Sequence, residues 1–391
     1  MIASRLGFDD RLAKRLLELR REIHRHPELA FEEHETARRL EAALSEFCSA
    51  ERVATTGVVA RIPGSGIGPT VALRGDIDAL PVQERTDLDF ASEIPNVMHA
   101  CGHDIHATWT IGAAALLAGS PAVGDVVILL QPGEETGRGA SRLIDAGVLD
   151  GVRMIFGAHV DRRFPVGAVV ADEGALAASA DTFRITLRGE GAHGARPHEA
   201  ADPIVAAAET ITTLQCIVSR RLDPASPAVA SVGTIRAGNA PNVIPDVASL
   251  SGTVRATTST DRNAIHSELQ RVVDGIERLH GVTAELDIEL GPPPVVNPVG
   301  ATQIARTAVT NILGAPALVP LGFTNMAGED FASYQELIPG CFLRVGAREE
   351  NSSVIPAHSP QFYGADDSIF VGAAVLAECA RIASAKLANG G

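Results

Sequence analysis

Aromatic side chains and positive charge are both scarce in this chain of 391 residues. Phe, Trp and Tyr together make up 4% of it, and 33 basic residues face 48 acidic ones, for a formal net charge of −15. So few aromatic rings argue against the stacking platforms of single-stranded nucleic-acid binders. The negative charge argues against nucleic acid and anionic membranes. We therefore expect no nucleic-acid or membrane partner.

Cysteine pairs and long apolar runs are missing as well. The cysteines are odd in number and scattered, and no two have CxxC spacing, so a disulfide framework is not expected. No uninterrupted apolar run approaches the 18 residues of a membrane span. Residues 1–20 are charged and amphipathic, unlike a secretory signal. These features predict a cytoplasmic protein.

What is present is an ordinary globular composition, 46% hydrophobic and 21% charged. The length fits two domains or one large one. Apolar periodicity predicts helices within the first 50 residues and near 103–117, 140–146 and 367–387. It predicts strands at 53–62, 70–73, 126–130 and 154–156. This alternation is typical of an α/β fold, a largely parallel sheet wrapped by helices.

Between about 180 and 291 the order of elements changes. Strands are predicted at 182–188, 227–235, 247–255 and 283–290, and helices at 202–221 and 259–280. The order β-α-β-β-α-β is that of a ferredoxin-like module. We therefore expect one α/β domain, residues 1–179 and 292–391, interrupted by a small inserted domain, residues 180–291.

Chemically active side chains follow several of the predicted strands. Asp76 and Asp78 come after the strand at 70–73, Glu134 and Glu135 after 126–130, and His159 after 154–156. The segment HACGHDIH, residues 99–106, opens a predicted helix. Ligands of parallel α/β sheets bind beyond the carboxyl ends of the strands, so these groups are expected to meet at one edge.

Each of these features alone is weak. A Cys-x-His pair is usually a buried thiol near an unrelated histidine, and two adjacent glutamates usually face solvent. Together, a thiolate, several imidazoles and carboxylates fit a divalent transition-metal site. A helix start and a nearby cation would favour the thiolate of Cys101. A structural zinc site is the alternative, but such sites are normally closed by four Cys or His ligands.

The pair Glu134–Glu135 indicates a division of labour. Consecutive side chains point apart, so one carboxylate can bind metal while the other faces the substrate water. A metal makes water a competent nucleophile near neutral pH, and a carboxylate can take its proton.

At these residues the sequence resembles the M20 metallopeptidase family, and within it the amidohydrolase branch of hippurate hydrolases, N-acyl-amino-acid amidohydrolases (aminoacylases) and auxin-conjugate hydrolases. The resemblance runs in the family's order over nearly the whole chain. The matching segments are RGDIDALP (74–81), MHACGHDIH (98–106), QPGEETGRGA (131–140), GAHV (157–160), GAHGARPHEAADP (191–203), NVIPD (242–246), GTVRA (252–256), GEDF (328–331) and AHSPQF (357–362).

The resemblance implies a site for two divalent metal ions (Zn, Mn, Co or Ni). Its implied ligands are Cys101, His103, Glu135, His159 and His358. It makes Cys101 the shared ligand and Glu134 the general base and acid. Asp78 takes an orienting role without binding metal. His103 is preferred to His99 and His106 on motif position, because spacing cannot choose among them.

The resemblance also makes residues 180–291 a lid and dimerisation domain. His193 would then stabilise the oxyanion, entering the partner subunit's site in dimeric members. Asn242 and Arg255 are candidate binders of the substrate carboxylate. A homodimer or homotetramer through the lid is expected. The chain departs from common family residues at Gly133, Glu190 and Trp109, which puts the substrate pocket in question rather than the chemistry.

These inferences predict a metal-dependent amidohydrolase that cleaves N-acyl amino acids or related conjugates into a carboxylic acid and an amino acid. A dipeptidase or carboxypeptidase of the same family is the nearest alternative. A catalytically silent protein that binds metal or ligand is a third, although a binder need not keep Glu134.

Overall fold

The computed structural model describes residues 2–389. The chain divides into two compact units. The first comprises the described part of Met1–Gly174, Val296–Gly322 and Asp330–Gly391, and the second comprises Ala175–Val295 with Phe323–Glu329. The predicted limits of the insertion, 180–291, differ from this division at both ends and leave out Phe323–Glu329. That segment carries no change of pattern that would mark it in the sequence.

The described helices are short near the start of the chain and longest at its end. They are α1 (Ile2–Arg5), α2 (Asp10–Arg25), α3 (His34–Leu44), α4 (His103–Gly119), α5 (Gly139–Asp145), α6 (Pro203–Cys216), α7 (Ser259–His280), α8 (Val299–Leu313), α9 (Phe331–Gln335) and α10 (Asp367–Ala388).

The described strands are β1 (Ala50–Val53), β2 (Gly57–Ile62), β3 (Thr70–Asp76), β4 (Val126–Gln131), β5 (Val152–Pro165), β6 (Val169–Val170), β7 (Gly174–Ala177), β8 (Asp181–Arg188), β9 (Ala192–His193), β10 (Ala228–Ala237), β11 (Val243–Ile244), β12 (Val247–Ala256), β13 (Thr283–Glu289), β14 (Val295–Asn297) and β15 (Gly340–Arg348).

The first unit is built on a seven-stranded sheet with the order β1-β2-β4-β3-β5-β15-β6. Its four central strands, β4, β3, β5 and β15, are parallel, and the outer pairs are antiparallel. β4 is buried along its whole length, as expected for a strand covered on both faces. The α/β prediction is confirmed, and the parallel core puts the ends of β3, β4 and β5 at one edge.

The predicted strand at 53–62 is wrong at its start. The structure has a hairpin there, in which β1 pairs with β2 and Ala54 and Thr55 form the turn with φ of 47° and 76°. Neither residue is one that usually adopts positive φ, so no turn signal marks the break.

Helix α4 lies in the interior and is buried on nearly every side, packed against α10. Trp109, the unusual residue of this helix, is fully buried. Gly372 of α10 makes room for it, because a Cβ there would lie 2.3 Å from the indole ring. The departure at Trp109 is therefore accommodated by the facing helix.

Helix α10 is a candidate membrane span by length and composition, whereas the sequence predicted none. It is long and apolar enough to cross a membrane, although charged residues interrupt its apolar run. In the structure 78% of the qualifying window is buried inside the protein. This is the environment of a core helix, and the length of α10 is explained by its packing on α4 and α8.

The second unit contains a four-stranded antiparallel sheet with the order β10-β12-β8-β13, covered by α6 and α7. Its strands and helices follow the predicted β-α-β-β-α-β order. Side chains of β8 alternate between buried and exposed, and Phe183, Ile185 and Leu187 form the core with the two helices. The predicted helix at 202–221 ends at Cys216 and continues as a π-helical turn over Ile217–Arg221.

Candidate metal centre

The carboxyl edge of the central sheet collects the predicted ligands of the first unit. Asp76 ends β3 opposite Gln131, which ends β4, and the loops after them carry Asp78 and Glu135. His159 lies further along β5, beyond its last pairing with β3. Parallel pairing therefore brings together side chains that are far apart in sequence.

Cys101, His103 and His159 form the buried part of the centre. The Sγ of Cys101 lies 3.2 Å from Nε2 of His159. One possible ligand atom from each of the three lies within 4.8 Å of the others. All three side chains are nearly inaccessible to solvent. This donor set of one thiol and two imidazoles fits a divalent transition metal.

Asp78 contacts two of the predicted ligands, His103 and Glu135. Nδ1 of His103 lies 3.1 Å from Oδ1 of Asp78, and the backbone N–H of Glu135 donates to Oδ2 of Asp78 at 3.0 Å. Holding Nδ1 of His103 in this way turns Nε2 into the centre. Asp78 therefore sits where an orienting carboxylate is needed.

Two buried polar atoms at the centre have no hydrogen-bond partner among the described residues, Nε2 of His103 and Oε1 of Glu135. These two atoms lie 3.9 Å apart. Oε1 of Glu135 also lies 3.4 Å from Nε2 of His358, without the geometry of a hydrogen bond. Buried polar atoms are normally hydrogen-bonded, so this convergence of imidazole nitrogens on a carboxylate oxygen fits a bound cation. The residues present fit a metal centre.

His358 completes the set from the loop before α10. Its Nε2 lies 3.4 Å from Oε1 of Glu135 and its side chain is 56% exposed. The backbone N–H of His358 donates to the carbonyl of Ala100 at 2.8 Å. That bond joins the loop of His358 to the loop of Cys101, and His358 adopts a φ of 66°, uncommon outside glycine.

Glu134 lies beside the ligands on a short 3-10 turn, Glu134–Thr136. Its Oε2 lies 3.9 Å from Nε2 of His103, and its side chain is 10% exposed. Glu135, the next residue, faces Cys101 and His358. Both carboxylates thus approach Nε2 of His103, at 3.9 Å each, and Glu135 in addition lies near Cys101 and His358. The division of labour between them stays a prediction.

The pKa values around the centre reflect burial and opposed charges. Burial alone would lower the pKa of His103, but the charge of Asp76 and the hydrogen bond with Asp78 hold it well above the usual range. Burial also opposes the charge of Asp76, yet His103, Arg74 and His106 keep its pKa well below the usual range. The buried residues of the centre therefore stabilise each other's charged forms, the imidazolium of His103 and the carboxylate of Asp76.

The protein's own residues do not favour the thiolate of Cys101. Burial raises its pKa well above the usual range, and the charge of Glu135 raises it further. The hydrogen bond and the charge of His103 act in the opposite direction, but the pKa stays raised. A thiolate at Cys101 thus requires a bound cation, which agrees with a ligand role rather than with a free nucleophile.

Glu33 is a residue of the site that no sequence motif marks. It is fully buried, its Oε1 accepts the backbone N–H of Gly133 at 3.0 Å, and its Oε2 accepts the hydroxyl of Thr56 at 2.6 Å. Burial raises the pKa of Glu33 to about 7. The residue anchors the loop that carries Glu134, but 100 positions separate it from that loop, so no local pattern could reveal it.

The departure at Gly133 has a steric cause. Gly133 adopts a φ of 67°, and a Cβ on it would lie 2.4 Å from the ring of Phe31. Arg142 covers the same ring, with its guanidinium carbon 3.6 Å from the ring centroid. The bulky aromatic residue at 31 and the missing side chain at 133 therefore fit each other.

The remaining predicted residues belong to the second unit. His193 is exposed in β9, opposite Val243 of β11. Asn242, also exposed, accepts the backbone N–H of Gly194 through its carbonyl at 2.8 Å. Arg255 donates to the carbonyl of Met326 at 3.0 Å. His193 and Asn242 are thus neighbours, and Arg255 is held by the segment Phe323–Glu329.

Comparisons with known proteins agree with one another. A sequence model of peptidase family M20/M25/M40 matches residues 72–382. N-acetylcysteine deacetylase of Bacillus subtilis is 39% identical over 94% of this chain and 96% of its own. Thermostable carboxypeptidase 1 of Saccharolobus solfataricus is 35% identical over 92% of each chain. A crystal structure of a Bacillus subtilis protein, described as a dinuclear metal binding peptidase, has a TM-score of 0.85 and 37% identity over 96% of this chain and 99% of that one.

Proposed function

The chain belongs to peptidase family M20/M25/M40, and on that premise we propose that it is a metal-dependent amidohydrolase that cleaves the amide bond of N-acyl amino acids or related conjugates. The observation that carries this proposal is the buried group of Cys101, His103 and His159 beside Glu134 and Glu135. A relative named for deacetylating an N-acyl amino acid supports the substrate class.

Two divalent ions per chain would be held by Cys101, His103, Glu135, His159 and His358, with Cys101 shared between them. When bound, such ions supply Lewis-acid chemistry, polarising the scissile carbonyl and making water more acidic. Thiolate and imidazole suit zinc, and manganese, cobalt and nickel also fit this donor set. The relative described as binding two metals supports the number.

Glu134 would perform the proton transfers. Its carboxylate takes a proton from the attacking water as the water oxygen bonds to the carbonyl carbon. It then returns that proton to the nitrogen of the leaving amine as the C–N bond breaks. The products are a carboxylic acid and a free amino acid.

We assign the recognition of substrate to the second unit, acting as a lid. His193 would donate to the oxyanion, and Asn242 and Arg255 would bind the carboxylate of the amino-acid part. The exposure of His193 and Asn242 supports this assignment, since neither side chain is used up in the unit's own core.

We further propose a homodimer, or a homotetramer, formed through the second unit. β10 is an edge strand of ten residues, mostly exposed, and Arg236 is its only charged residue. Val229 and Ile235 on it are 36% and 52% exposed. A long edge with a single charged residue pairs readily with another chain. Ile235→Lys should give monomers in sedimentation velocity, whereas Val354→Lys, at an exposed site of the first unit, should not.

A dipeptidase or carboxypeptidase is the second candidate, because a carboxypeptidase is among the relatives. Its chemistry at Glu134 and the metals would be the same. The two candidate enzymes would differ only in the chemical group of the substrate that they accept next to the scissile amide bond. A cytoplasmic location stays a prediction.

The test is hydrolysis of a panel of N-acyl amino acids and dipeptides by the full chain. Protein stripped of metal is reloaded separately with zinc, manganese, cobalt or nickel, and Glu134→Gln serves as the matched control. Metal-restored cleavage of acyl amino acids is expected. Cleavage of dipeptides alone would select the second candidate, and failure to bind any metal would overturn the proposal.

A further inference from the structure

His106 is a buried histidine whose two ring nitrogens are both engaged. Nδ1 lies 2.6 Å from Oδ1 of Asp76, and Nε2 accepts the backbone N–H of Val160 at 2.9 Å. The ring stacks on Trp109, with 4.6 Å between centroids and 23° between planes. The side chain is fully buried. His106 is therefore fixed on three sides.

The partner of His106 lies at an interrupted edge of the sheet. β5 pairs with β3 only as far as Gly157, opposite Arg74. Beyond that point β5 continues beside β15, and within residues 2–389 no strand lies on the β3 side to accept the N–H of Val160. His106 provides the acceptor that the missing strand would have provided.

The same residue, Val160, orients the metal-facing His159. Nδ1 of His159 lies 2.6 Å from the carbonyl oxygen of Val160. This bond places the proton on Nδ1 and leaves Nε2 facing Sγ of Cys101 at 3.2 Å. The N–H of Val160 is thus held by one histidine, and its carbonyl holds the other.

The carboxylate of Asp76 is itself held from behind. Nη1 of Arg74 donates to Oδ2 of Asp76 at 2.5 Å, and Nη2 of Arg74 donates to Oδ1 of Asp330 at 2.7 Å. Gln131 also donates to Asp330, at 2.9 Å. An ionised Asp76 beside Nδ1 keeps the proton there and leaves Nε2 of His106 as an acceptor.

We infer that His106 is a positioning residue. It fixes the main chain of Val160 and so aims Nε2 of His159 at the metals, without binding metal itself. The inference rests on the proposed metal centre. The opposing possibility is that Asp76, His103 and His106, whose ligand atoms also lie within 4.8 Å of one another, form a metal site of their own.

Two substitutions separate the contacts of His106. In His106→Gln the amide oxygen can reach the place of Nε2 and accept from Val160, while the contact with Asp76 is lost. In His106→Asn the amide nitrogen can reach the place of Nδ1 and donate to Asp76, while Val160 loses its acceptor. His99→Gln is the matched control, a buried histidine of the same segment whose ring nitrogens have no partner among residues 2–389.

The full chain of each variant is titrated with cobalt(II) against a chelator, its visible absorption is recorded, and its metal-free unfolding midpoint is measured. His106→Asn should still bind two cobalt ions, with affinity reduced roughly 10–100-fold and altered absorption bands. His106→Gln should stay closer to the wild type. His99→Gln should keep the wild-type affinity and spectrum, whatever it costs in unfolding midpoint.

Three results would contradict the inference. Loss of one cobalt ion in both His106 variants would make His106 a ligand. Unchanged affinity and spectrum in His106→Asn, with only a lower unfolding midpoint, would reduce it to a structural residue. Failure of the wild type to bind cobalt would overturn the proposed metal centre itself, and with it this inference.

Discussion

Two predicted ligand histidines of the first unit and the predicted oxyanion histidine of the second unit are held in opposite ways. His103 and His159 in the first unit are buried, and each has Nδ1 engaged by the chain, by Asp78 and by the carbonyl of Val160. His193 in the second unit is exposed on a strand of two residues, and its Nδ1 accepts the N–H of Ala195, two residues along the same loop, at 3.1 Å. The first arrangement presents nitrogen atoms in fixed directions before any ligand arrives.

This difference in burial indicates that the histidines of the two units suit different tasks, metal binding in the first unit and contact with substrate in the second. Metal binding needs several donors in one geometry, and buried hydrogen bonds supply that geometry. A group that contacts substrate during turnover can remain exposed until the substrate binds. We therefore expect changes in the first unit to alter metal affinity, and changes near His193 to alter turnover alone.

The largest effect is expected at Glu134, where the first unit would carry out chemistry rather than metal binding. Glu134→Gln keeps the size of the side chain but cannot accept the proton of water. We expect kcat to fall roughly 10²–10⁴-fold, with two metals still bound, as measured by steady-state kinetics and metal analysis. Activity within tenfold of the wild type would assign the base elsewhere.

His193→Asn tests the second unit. Loss of one oxyanion donor should lower kcat about 10²–10³-fold, while metal content stays at the wild-type value. Because the side chain is exposed, the free energy of unfolding should change by less than about 0.5 kcal/mol. His198→Asn, at a nearby histidine whose side chain is 76% exposed, is the control and should keep full activity. Equal losses in both variants would remove the special role of His193.

Asp78→Asn tests the fixed geometry of the first unit. The amide oxygen can keep only one of the two carboxylate contacts, with Nδ1 of His103 or with the N–H of Glu135, while the main-chain carbonyl of residue 78 stays 2.9 Å from Nδ1. Metal affinity should therefore fall by roughly 10-fold, the lower end of the effect of losing an orienting partner. Asp181→Asn is the matched change in the second unit, where a buried carboxylate accepts from Arg262 and His266. It should lower stability and leave metal affinity unchanged. A similar affinity loss in both variants would erase the contrast between the units.

Glu33 should make the stability of the metal-free protein depend on pH. Its pKa is raised by burial to about 7, above the ordinary value of 4.5, so the folded chain binds the proton more tightly than the unfolded one. The contribution of Glu33 to the unfolding free energy should fall as pH rises from about 4.5 through 7, by an amount of the order of 3 kcal/mol. The buried His99, whose pKa burial lowers to about 3, contributes with the opposite sign in the same range, so the Glu33 contribution is measured as the difference in slope between the wild type and Glu33→Gln in denaturant titrations. An unchanged slope would place the titrating group elsewhere.

Gly133→Ala should give the smallest effect, about 1–3 kcal/mol of destabilisation, from the positive φ and the clash with Phe31. The double variant with Phe31→Leu should recover part of the loss. Gly66→Ala is the control, because a Cβ at Gly66 meets nothing within 4 Å. Equal midpoints for Gly133→Ala and Gly66→Ala would mean that the loop adapts to the added methyl group.

The central strands could be predicted from the sequence because β3 and β4 are buried on both faces, and such strands are continuous apolar runs. The β-α-β-β-α-β order of the second unit was readable for a similar reason, the alternation along β8. The turn at Ala54 and Thr55 was not readable, because neither residue signals a positive φ. The extent of the second unit was missed because Phe323–Glu329 joins it through tertiary contacts alone.

The residue types of the candidate site could be predicted from the sequence, but the role of each residue could not. His103 and His106 stand three positions apart on α4, and spacing could not tell which of them faces a metal. That choice depends on Asp78, Asp76 and the N–H of Val160, which come from other elements. Glu33 was missed for the same reason, since its contact with Gly133 spans 100 positions.

The most direct test of the account is an anomalous-difference map from crystals of the full chain grown with zinc. We expect two peaks per chain at the edge of the central sheet, with Nε2 of His103, Nε2 of His159 and Sγ of Cys101 at about 2.0–2.3 Å from metal. A single closed site, or a peak between Asp76 and His106 with none beside Glu135, would contradict it.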